Sequence, residues 1–441
     1  MGDAGDVLRL GVSENGRYLV DGKGEPFFWL GDTGWGLLSG PTVEEVELYL
    51  DNRREKGFNV VQCVIARWGP QPHDAITDPG YPDDFFESPD GELPWLDMNP
   101  ATPNPKYFEH VDRVLELAEE RQMILAMIPA WCIFMGGVLN MDNAYEYGLW
   151  LGQRYRDQDN IIWVLGGDLR PEGREDLVRL LAKGVTDGDG GRHLKTLHPN
   201  SVSSKYFHHD DWLDFNMIQS GHALDLPNYS QVLRDYNLNP PKPVLDAEPR
   251  YEGLSSEVFG AMPEGRAEGI RIDDHQVRIA AYNAVLSGAL GHTYGANAVW
   301  EFWQPGTWSA WEPLEGWKTA LDLPGGFHMG VMKDLMLSRE WWLLEPDPKM
   351  VQRNLPERPR DYLPAARAKD GRFAYVYFPR RKRMEIDLSK LSGSKVRAAW
   401  FDPRTGETTL AGEYPAEGLQ RFTPPTGPED PDYVLILEVA D

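Results

Sequence analysis

The chain has 441 residues, of which 41% are hydrophobic and 11% aromatic, and its formal charge is −25. That length suits a large domain plus a smaller one, and the apolar content is enough for packed cores, which excludes a disordered chain. The acidic balance argues against nucleic acid as a partner, because phosphate binding relies on clustered Lys and Arg.

Leu8 to Val12 and Arg17 to Val20 read as a short hairpin, with turns at Asn15-Gly16 and Asp21-Gly22. Strand and helix patterns then alternate. Pro26 to Leu30 is the first strand, leading into Gly31-Asp32-Thr33-Gly34-Trp35. Thr42 to Lys56 is a helix, with Thr42 and Glu45 spaced as a capping box. Asn59 to Ile65 is the second strand, followed by Ala66-Arg67-Trp68 and a Pro- and Asp-rich loop from Gly69 to about Pro105. Loops of that length are usually functional or flexible, and this one is expected to wall a cleft. Lys106 to Gln122 is a helix, and Met123 to Pro129 the third strand, leading into Ala130-Trp131.

Asp142 to Asp157 is a helix and Asn160 to Leu165 the fourth strand, which runs into Gly166-Gly167-Asp168. Arg174 to Thr186 is a helix. The fifth strand, His193 to Leu197, ends in His198-Pro199, and the sixth, Leu213 to Gln219, in Ser220-Gly221-His222. Tyr229 to Tyr236 is a short helix, and Pro243 to Ala247 the seventh strand, closing on Glu248. Asp273 to Leu286 is a helix with Asp273 and Asp274 at its positive end. The eighth strand lies near Gly291 to Trp300 and precedes Glu301-Phe302-Trp303.

Eight strands alternating with helices predict a (β/α)₈ TIM barrel of the α/β class. A doubly wound open sheet is the competing architecture, but no Gly-rich phosphate loop follows the first strand. Val331 to Trp342 is one more helix, and from about Pro346 the pattern changes to short strands and turns. Phe373 to Phe378 with Met384 to Leu388 reads as a hairpin, and Val396 to Phe401 and Tyr433 to Val439 as further strands. The resulting division is an N-terminal hairpin over 1–25, a barrel over 26–345 and a small antiparallel β-sandwich over 346–441.

In a barrel, residues just past the strand C-termini share one face. Here they are Asp32, Trp35, Arg67, Trp68, Trp131, Asp168, His198, His222, Glu248, Glu301 and Trp303. Arg and carboxylates hydrogen-bond hydroxyls and Trp stacks on rings, so the set suits a neutral, polyhydroxylated ligand. The carboxylates after the fourth and seventh strands are what glycosidic cleavage needs: one gives a proton to the leaving oxygen, and the other attacks or activates water. Asp168 is the candidate acid/base, because the two preceding glycines leave room for a ligand near the backbone. Glu248 is the candidate nucleophile, kept ionised by donors such as Arg67 or a histidine. Arg250 is its possible structural ion-pair partner, and Asp246 the nearest competing carboxylate.

Asp32 is a candidate for binding sugar hydroxyls, His198 and His222 for donating to substrate or to Glu248, and the tryptophans for stacking. With 16 Trp and 18 Tyr, composition alone does not separate stacking platforms from core packing. Asp187-Gly188-Asp189-Gly190-Gly191 resembles part of a calcium loop but lacks its twelfth-position Glu, so it reads as a helix-to-strand turn. Arg380-Arg381-Lys382-Arg383 reads as a solvated turn. No P-loop, HExxH or Gly-x-Ser-x-Gly motif occurs, and no metal or organic cofactor is expected. Cys63 and Cys132 read as small buried residues on neighbouring barrel strands. No apolar run reaches the ~20 residues of a membrane span, and Met1 to Asp6 lack a signal-peptide pattern. A cytoplasmic protein and a secreted one with its signal removed both remain open, as does the oligomeric state.

Three segments carry a family resemblance: Phe28-Trp29-Leu30-Gly31-Asp32-Thr33, Trp163-Val164-Leu165-Gly166-Gly167-Asp168 and Pro243-Val244-Leu245-Asp246-Ala247-Glu248-Pro249. In this order they resemble the apiosidase-like barrel domain, of which glycoside hydrolase family 140 is the characterised branch. The tail around Ala399-Trp400-Phe401-Asp402-Pro403-Arg404-Thr405-Gly406 is similar to the collagen-binding-type β-sandwich that accompanies it. The resemblance implies a retaining glycosidase with Asp168 as acid/base and Glu248 as nucleophile. The characterised branch cleaves apiose linkages in the plant pectin rhamnogalacturonan II. The tail is expected to pack on the barrel, since nothing in its sequence specifies a collagen groove. Two other classes compete: a carbohydrate-binding protein on a degenerate barrel, which would lose one carboxylate, and a metal-dependent hydrolase using Asp32, His198, His222 and Asp246.

Overall fold

The computed structural model describes residues 8–67, 87–255, 270–307, 309, 311–427 and 431–440. Three short antiparallel strands, β1 (Gly11–Val12), β2 (Leu19–Val20) and β3 (Pro26–Phe27), open the fold. Pro26 therefore belongs to this small sheet. The first barrel strand starts later, at Trp29, because Pro26 and Phe27 pair back on β2.

Eight parallel strands follow: β4 (Trp29–Thr33), β5 (Val60–Ala66), β6 (Ile124–Ala130), β7 (Ile161–Leu169), β8 (Lys195–Pro199), β9 (Asn216–Ile218), β10 (Val244–Asp246) and β11 (Gly291–Tyr294). The ladder runs β11-β4-β5-β6-β7-β8, and β9 pairs with β10. Single backbone bonds bridge the remaining gaps, Asp214 N–H to Lys195 O at 2.8 Å and Leu290 N–H to Val244 O at 2.8 Å. The sheet is curled into a barrel with helices outside. Nearly every strand residue is buried on both faces, as covered parallel strands require.

Local chemistry sets the helix ends. Thr42 and Glu45 close a capping box on the helix Val43–Glu55, and Asp273 and Gln276 do the same for Asp274–Val285. The helix Glu175–Asp189 runs through the expected Asp187 turn and stops at Gly190, whose φ of +72° forms a left-handed cap. The last barrel helix spans Pro324–Leu337, earlier than the Val331–Trp342 expected. Pro324 sits in its first turn, where the missing N–H costs nothing, and it carries the helix through Gly325-Gly326.

The C-terminal region is antiparallel: β12 (Leu344–Pro346), β13 (Ala365–Ala368), β14 (Phe373–Phe378), β15 (Met384–Asp387), β16 (Lys395–Phe401), β17 (Thr408–Pro415), β18 (Leu419–Phe422) and β19 (Tyr433–Val439). The large sheet is ordered β12-β13-β14-β19-β16-β17, and β15 pairs with β18 in a second sheet. The expected hairpin of 373–378 with 384–388 is thus corrected. The chain crosses from one sheet to the other at the basic turn 380–383, so β14 and β15 face each other across a core instead of pairing.

The large sheet has two apolar faces. Ala374, Val376, Leu435 and Leu437 pack toward the small sheet, whereas Tyr375, Tyr377, Phe401 and Ile436 join the barrel's own core. Such alternation is the period of two expected of a strand. At the junction, Tyr282 stacks on Tyr377 at 4.6 Å, and Arg278 makes two 2.8 Å hydrogen bonds to Asp432, which also accepts from the Tyr377 hydroxyl. Arg278 and Asp432 are 3% and 1% exposed. Breaking a buried pair by removing one partner costs about 3–5 kcal/mol, and Asp274, the other carboxylate on Arg278, is 31% exposed and leaves the buried side of the guanidinium without its acceptor. Asp432→Ala should therefore lower the stability of the whole chain by about 3–5 kcal/mol, seen as a drop in the urea midpoint, while Lys395→Ala on the exposed rim should change it little.

Candidate active site

Glu248 lies two residues past β10 and is 4% exposed. Its two oxygens meet two histidines. Oε1 is 3.0 Å from His222 Nε2, and Oε2 is 2.9 Å from His198 Nε2. Burial alone would raise the affinity of Glu248 for a proton. The hydrogen bonds and charges of the two rings outweigh it and hold the carboxyl well below the ordinary range. The expected ionising donors thus exist, but they are the histidines. Arg250 spends its guanidinium on the carbonyls of Ala223, Leu224, Leu226 and Gln276.

Both rings are fixed from behind. His222 Nδ1 faces Pro249 O at 2.7 Å, so that nitrogen donates. His198 Nδ1 accepts from the Asp168 backbone N–H at 3.3 Å, which leaves its ring proton on Nε2, toward Glu248. His198 is 0% exposed and lies edge-on to Trp35 at 5.3 Å. Its ordinary burial penalty is overcome by the Glu248 hydrogen bond and by the charges of Glu248 and Asp168, which raise its proton affinity.

Asp168 sits within β7 where the strand departs from regular pairing. Gly166, Gly167 and Asp168 have φ of +95°, +77° and +49° in succession, a left-handed turn that swings the aspartate over the barrel mouth. The glycines are needed for space as well as for conformation. A Cβ on Gly166 would lie 2.7 Å from His198 O, and one on Gly167 only 2.3 Å from the Trp131 ring. Asp168 Oδ1 is 3.8 Å from His198 Nδ1, and its side chain is 36% exposed. Burial and then the Glu248 charge push its pKa up to about 7, against the pull of His198, His222 and Gln219. One oxygen of Asp168, one of Glu248 and a nitrogen of His198 all lie within 4.8 Å of one another.

The two carboxyls open into a cavity of about 550 Å³ lined by Trp35, Trp131, Tyr251, Trp300 and Trp311, with Asn200, Gln219, His222 and Gln231 among its polar groups. Cavities of similar size along the sandwich, lined around Arg339 and Glu438, include neither Asp168 nor Glu248.

Of the residues expected at the barrel mouth, Trp35, Trp131, Asp168, His222 and Glu248 line this cavity, and His198 lies directly beneath it. Four do not. Asp32 is fully buried and turned outward, accepting from Tyr49 at 2.6 Å and Arg53 at 2.7 Å, so it ties β4 to a helix instead of meeting a ligand. Arg67 is 1% exposed and packs over the Trp300 ring at 5.7 Å. Glu301 is buried and accepts from Ser309 at 2.5 Å. Trp303 donates to Thr307 O, away from the cavity. Trp68 and residues 69–86 of the long loop lie outside the described residues. Residues 87–104 pack Trp95 against Phe134 and Tyr147 and do not wall the cavity. Asp246 is buried under the site, bonded to Ser220 and Asn228, and burial pushes it up to about 6. Cys132 lies just past β6, half-buried, and not on the strand.

Gln219, Tyr251, Trp300 and Trp311 were not singled out by sequence. Gln219 stands one residue past β9 and Trp300 closes the segment expected as the eighth strand, although β11 ends at Tyr294, whereas Trp311 arrives on a loop with no such signal. Among the described residues, Asp168, His198 and Glu248 are the group close enough to hold a cation. Both nitrogens of His198 are already engaged by Asp168 N–H and Glu248, so a metal would have to displace those contacts. The alternative ligand set of Asp32, His198, His222 and Asp246 does not converge, since Asp32 is committed to Arg53.

Residues 13–343 match the family described as "Apiosidase-like, catalytic domain", and residues 346–438 match the "Putative collagen-binding domain of a collagenase". A glycoside hydrolase family 5 structure from Bacteroides vulgatus is 31% identical, covers 98% of this chain and 93% of its own, and superposes with a TM-score of 0.87. A second structure, described as a glycoside hydrolase, is 30% identical over 98% of this chain and 97% of its own, with a TM-score of 0.83. A family 27 β-L-arabinopyranosidase from Geobacillus stearothermophilus, 11% identical over 94% and 96%, shares the fold at a TM-score of 0.53. Comparison with curated protein sequences finds no match. Fold, paired carboxylates and relatives together define a glycoside hydrolase with a carbohydrate substrate. The chain belongs to the apiosidase-like family, and its sandwich is of the type that the second match describes. No helix among the described residues is long and apolar enough to cross a membrane.

Gly167→Ala tests the turn. Its Cβ would drive into Trp131 and favour a different φ, so kcat/KM should fall at least ~10²-fold, because small displacements of reacting groups cost that much. The thermal midpoint should show only the modest loss of an overpacked site, about 1–3 kcal/mol.

Proposed function

We propose that this chain hydrolyses a glycosidic bond with retention of anomeric configuration, with Glu248 as nucleophile and Asp168 as acid/base. The observation that carries the reading is the pair itself. One oxygen of Asp168 lies within 4.8 Å of one oxygen of Glu248, a closeness that favours the short spacing of double displacement (~5–5.5 Å between carboxyls) over the wider one that leaves room for an inverting water. Their environments also divide the roles: two histidines keep Glu248 charged, while burial and the Glu248 charge keep Asp168 protonated.

Glu248 attacks the anomeric carbon as Asp168 gives its proton to the leaving oxygen, and a glycosyl ester forms on Glu248. Esterification removes the charge that was raising Asp168. Asp168 then becomes the stronger acid it needs to be in order to remain ionised, and it can take a proton from water. That water displaces Glu248, and both groups return to their starting states. Trp35, Trp131 and Tyr251 offer apolar faces to a sugar ring, and Asn200, Gln219 and Gln231 offer hydrogen bonds to its hydroxyls. The substrate is an oligosaccharide or polysaccharide of plant or microbial origin. Furanosides of the apiose type are the first to try, because the family's characterised branch acts on them.

The test is hydrolysis of a panel of aryl glycosides, furanosides included, and rhamnogalacturonan II fragments. Asp168→Ala should lose ~10²–10⁴-fold on unactivated substrates, and Glu248→Ala at least as much. Proton NMR of the first-formed sugar should show the substrate's anomeric configuration. Activity surviving both substitutions sinks the assignment, and an inverted product sinks the double displacement. The pH dependence follows from the same two groups. The active form has Asp168 protonated and Glu248 ionised. The rate should fall as pH rises through about 7, where Asp168 loses its proton, and should hold far into the acid range, where Glu248 stays charged. A kcat/KM profile from pH 3 to 9 reads both limbs.

A further inference from the structure

Gln219 stands one residue past β9, and its side chain reaches the acid/base: Nε2 donates to Asp168 Oδ1 at 2.5 Å. The amide presents its N–H end to this oxygen, the orientation that an ionised Asp168 requires. The backbone of Gln219 is pinned as firmly. Its N–H donates to Ser201 O at 2.8 Å, and the next antiparallel contact pairs Val202 with Ile218. Ser203 reinforces this on both sides, giving its N–H to Met217 O and accepting the Met217 N–H on its hydroxyl. The same segment is tied to the strand of the acid, since Asn200 N–H donates to Leu169 O at 2.8 Å.

Ser201 holds this bridge at a φ of +128°, a conformation that side-chain-bearing residues rarely adopt. Such backbone persists where surrounding contacts over-determine it, and it clusters at functional sites. Residues 200–203 thus join β7, which carries Asp168, to β9, which carries Gln219, and one strained residue in the cavity wall sets the distance between them.

We propose that Gln219 is the positioning residue of Asp168: its amide makes Oδ1 the accepting oxygen, so that Oδ2 alone carries the transferable proton, and it restrains how tightly that proton is held. A carboxylic acid donates from one oxygen. An N–H aimed at Oδ1 excludes the proton from that atom and turns the acid's single donor toward the open cavity. An amide does not titrate, so this bond persists through both halves of a double displacement. It is stronger to the ionised form, and it therefore favours loss of the proton.

The other groups facing Asp168 come from every neighbouring element: His198 from β8, His222 from the turn after β9, Glu248 and Tyr251 from the segment after β10, and Cys132 from beyond β6. Glu248 raises the proton affinity of Asp168, and the histidines lower it. Gln219 also lowers it, and because an amide does not titrate its contribution is the same whatever the charge of the rest.

The inference rests on Asp168 being the acid/base only for its kinetic meaning, so the first readout is made without substrate. The full-length protein, carrying 13C at the aspartate carboxyls, is titrated by NMR, with the Asp168 signal identified by its loss in Asp168→Asn. Gln219→Met removes the N–H at similar volume and should raise the Asp168 midpoint by roughly one pH unit. Gln219→Glu places a second carboxyl on Oδ1 and should raise it further. A midpoint unmoved in both variants, with thermal midpoints near wild type, overturns the proposal.

The second readout is the leaving-group dependence of kcat/KM on phenyl and 2,4-dinitrophenyl glycosides of the sugar that wild type turns over. Gln219→Met should slow the phenyl glycoside at least tenfold and leave the dinitrophenyl glycoside, which needs no proton, near wild type. Equal losses on both would mark a structural role and overturn it. If Asp168→Ala is fully active while the NMR midpoint still shifts, the acid/base assignment fails and the Gln219 contact stands. If Asp168→Ala is inactive and the midpoint is fixed, only this inference fails.

Discussion

A full negative charge is held at the mouth of this barrel where water scarcely reaches it, and much of the surrounding architecture answers to that. Glu248 stays ionised because one imidazole meets each of its oxygens. Those two rings come from different strand ends and are oriented by different backbone groups, Pro249 O for His222 and Asp168 N–H for His198. The second contact matters most. The backbone of the second acid fixes the tautomer of the ring that serves the first, so neither carboxyl can move without disturbing the other. Asp168 reaches that position through a left-handed turn that needs Gly166, tight against His198 O, and Gly167, tight against the Trp131 indole.

Much of this was legible in the sequence, and the rest was hidden for identifiable reasons. Strand ends are readable because an apolar run must stop where solvent or a ligand begins, and eight such stops located Asp168 and Glu248. What a stop does not reveal is the side on which its side chain emerges. Asp32 closes the same kind of run as Asp168, yet it lies inside regular β4 and faces the helix layer, where Arg53 and Tyr49 claim it. Asp168 escapes that alternation because two glycines break the pairing first. Of the two kinds of donor the sequence offers Glu248, an arginine or a histidine, the histidines meet it, while Arg67 packs over Trp300 and Arg250 is held by backbone carbonyls. Trp311 had no local signal, because a loop residue gains a wall position only from tertiary structure. The misjudged hairpin after β14 has a similar cause: two apolar runs joined by a basic turn look alike whether the strands pair or part into two sheets.

The aromatic count illustrates the same limit from the side of composition. Trp29, Trp95, Trp163 and Trp317 are sealed in the core, while Trp35, Trp131, Trp300 and Trp311 line the cavity. Trp35 and Trp131 are nearly as inaccessible as the first group, at 2% and 7% exposed, because they also support His198 and Gly167. A ring in such a place is core on one face and binding surface on the other. Two relatives near 30% identity superpose over nearly the whole chain, so barrel and sandwich recur together.

The order in which the chain is made meets one of these constraints directly. Strand β19 does not sit at the rim of its sheet; it is inserted between β14 and β16, and Asp432 immediately before it is the counter-charge for Arg278 on a barrel helix. A ribosome releases Arg278 about 150 residues before that partner, counted from positions 278 and 432. Through that interval Arg278 has the partly exposed Asp274 of its own helix as a counter-charge but not its buried partner, and the sheet that covers it has a vacant central slot. Domains usually complete themselves in the order they emerge. Here the packing around Arg278 is complete only once the last strand of the chain is in its slot.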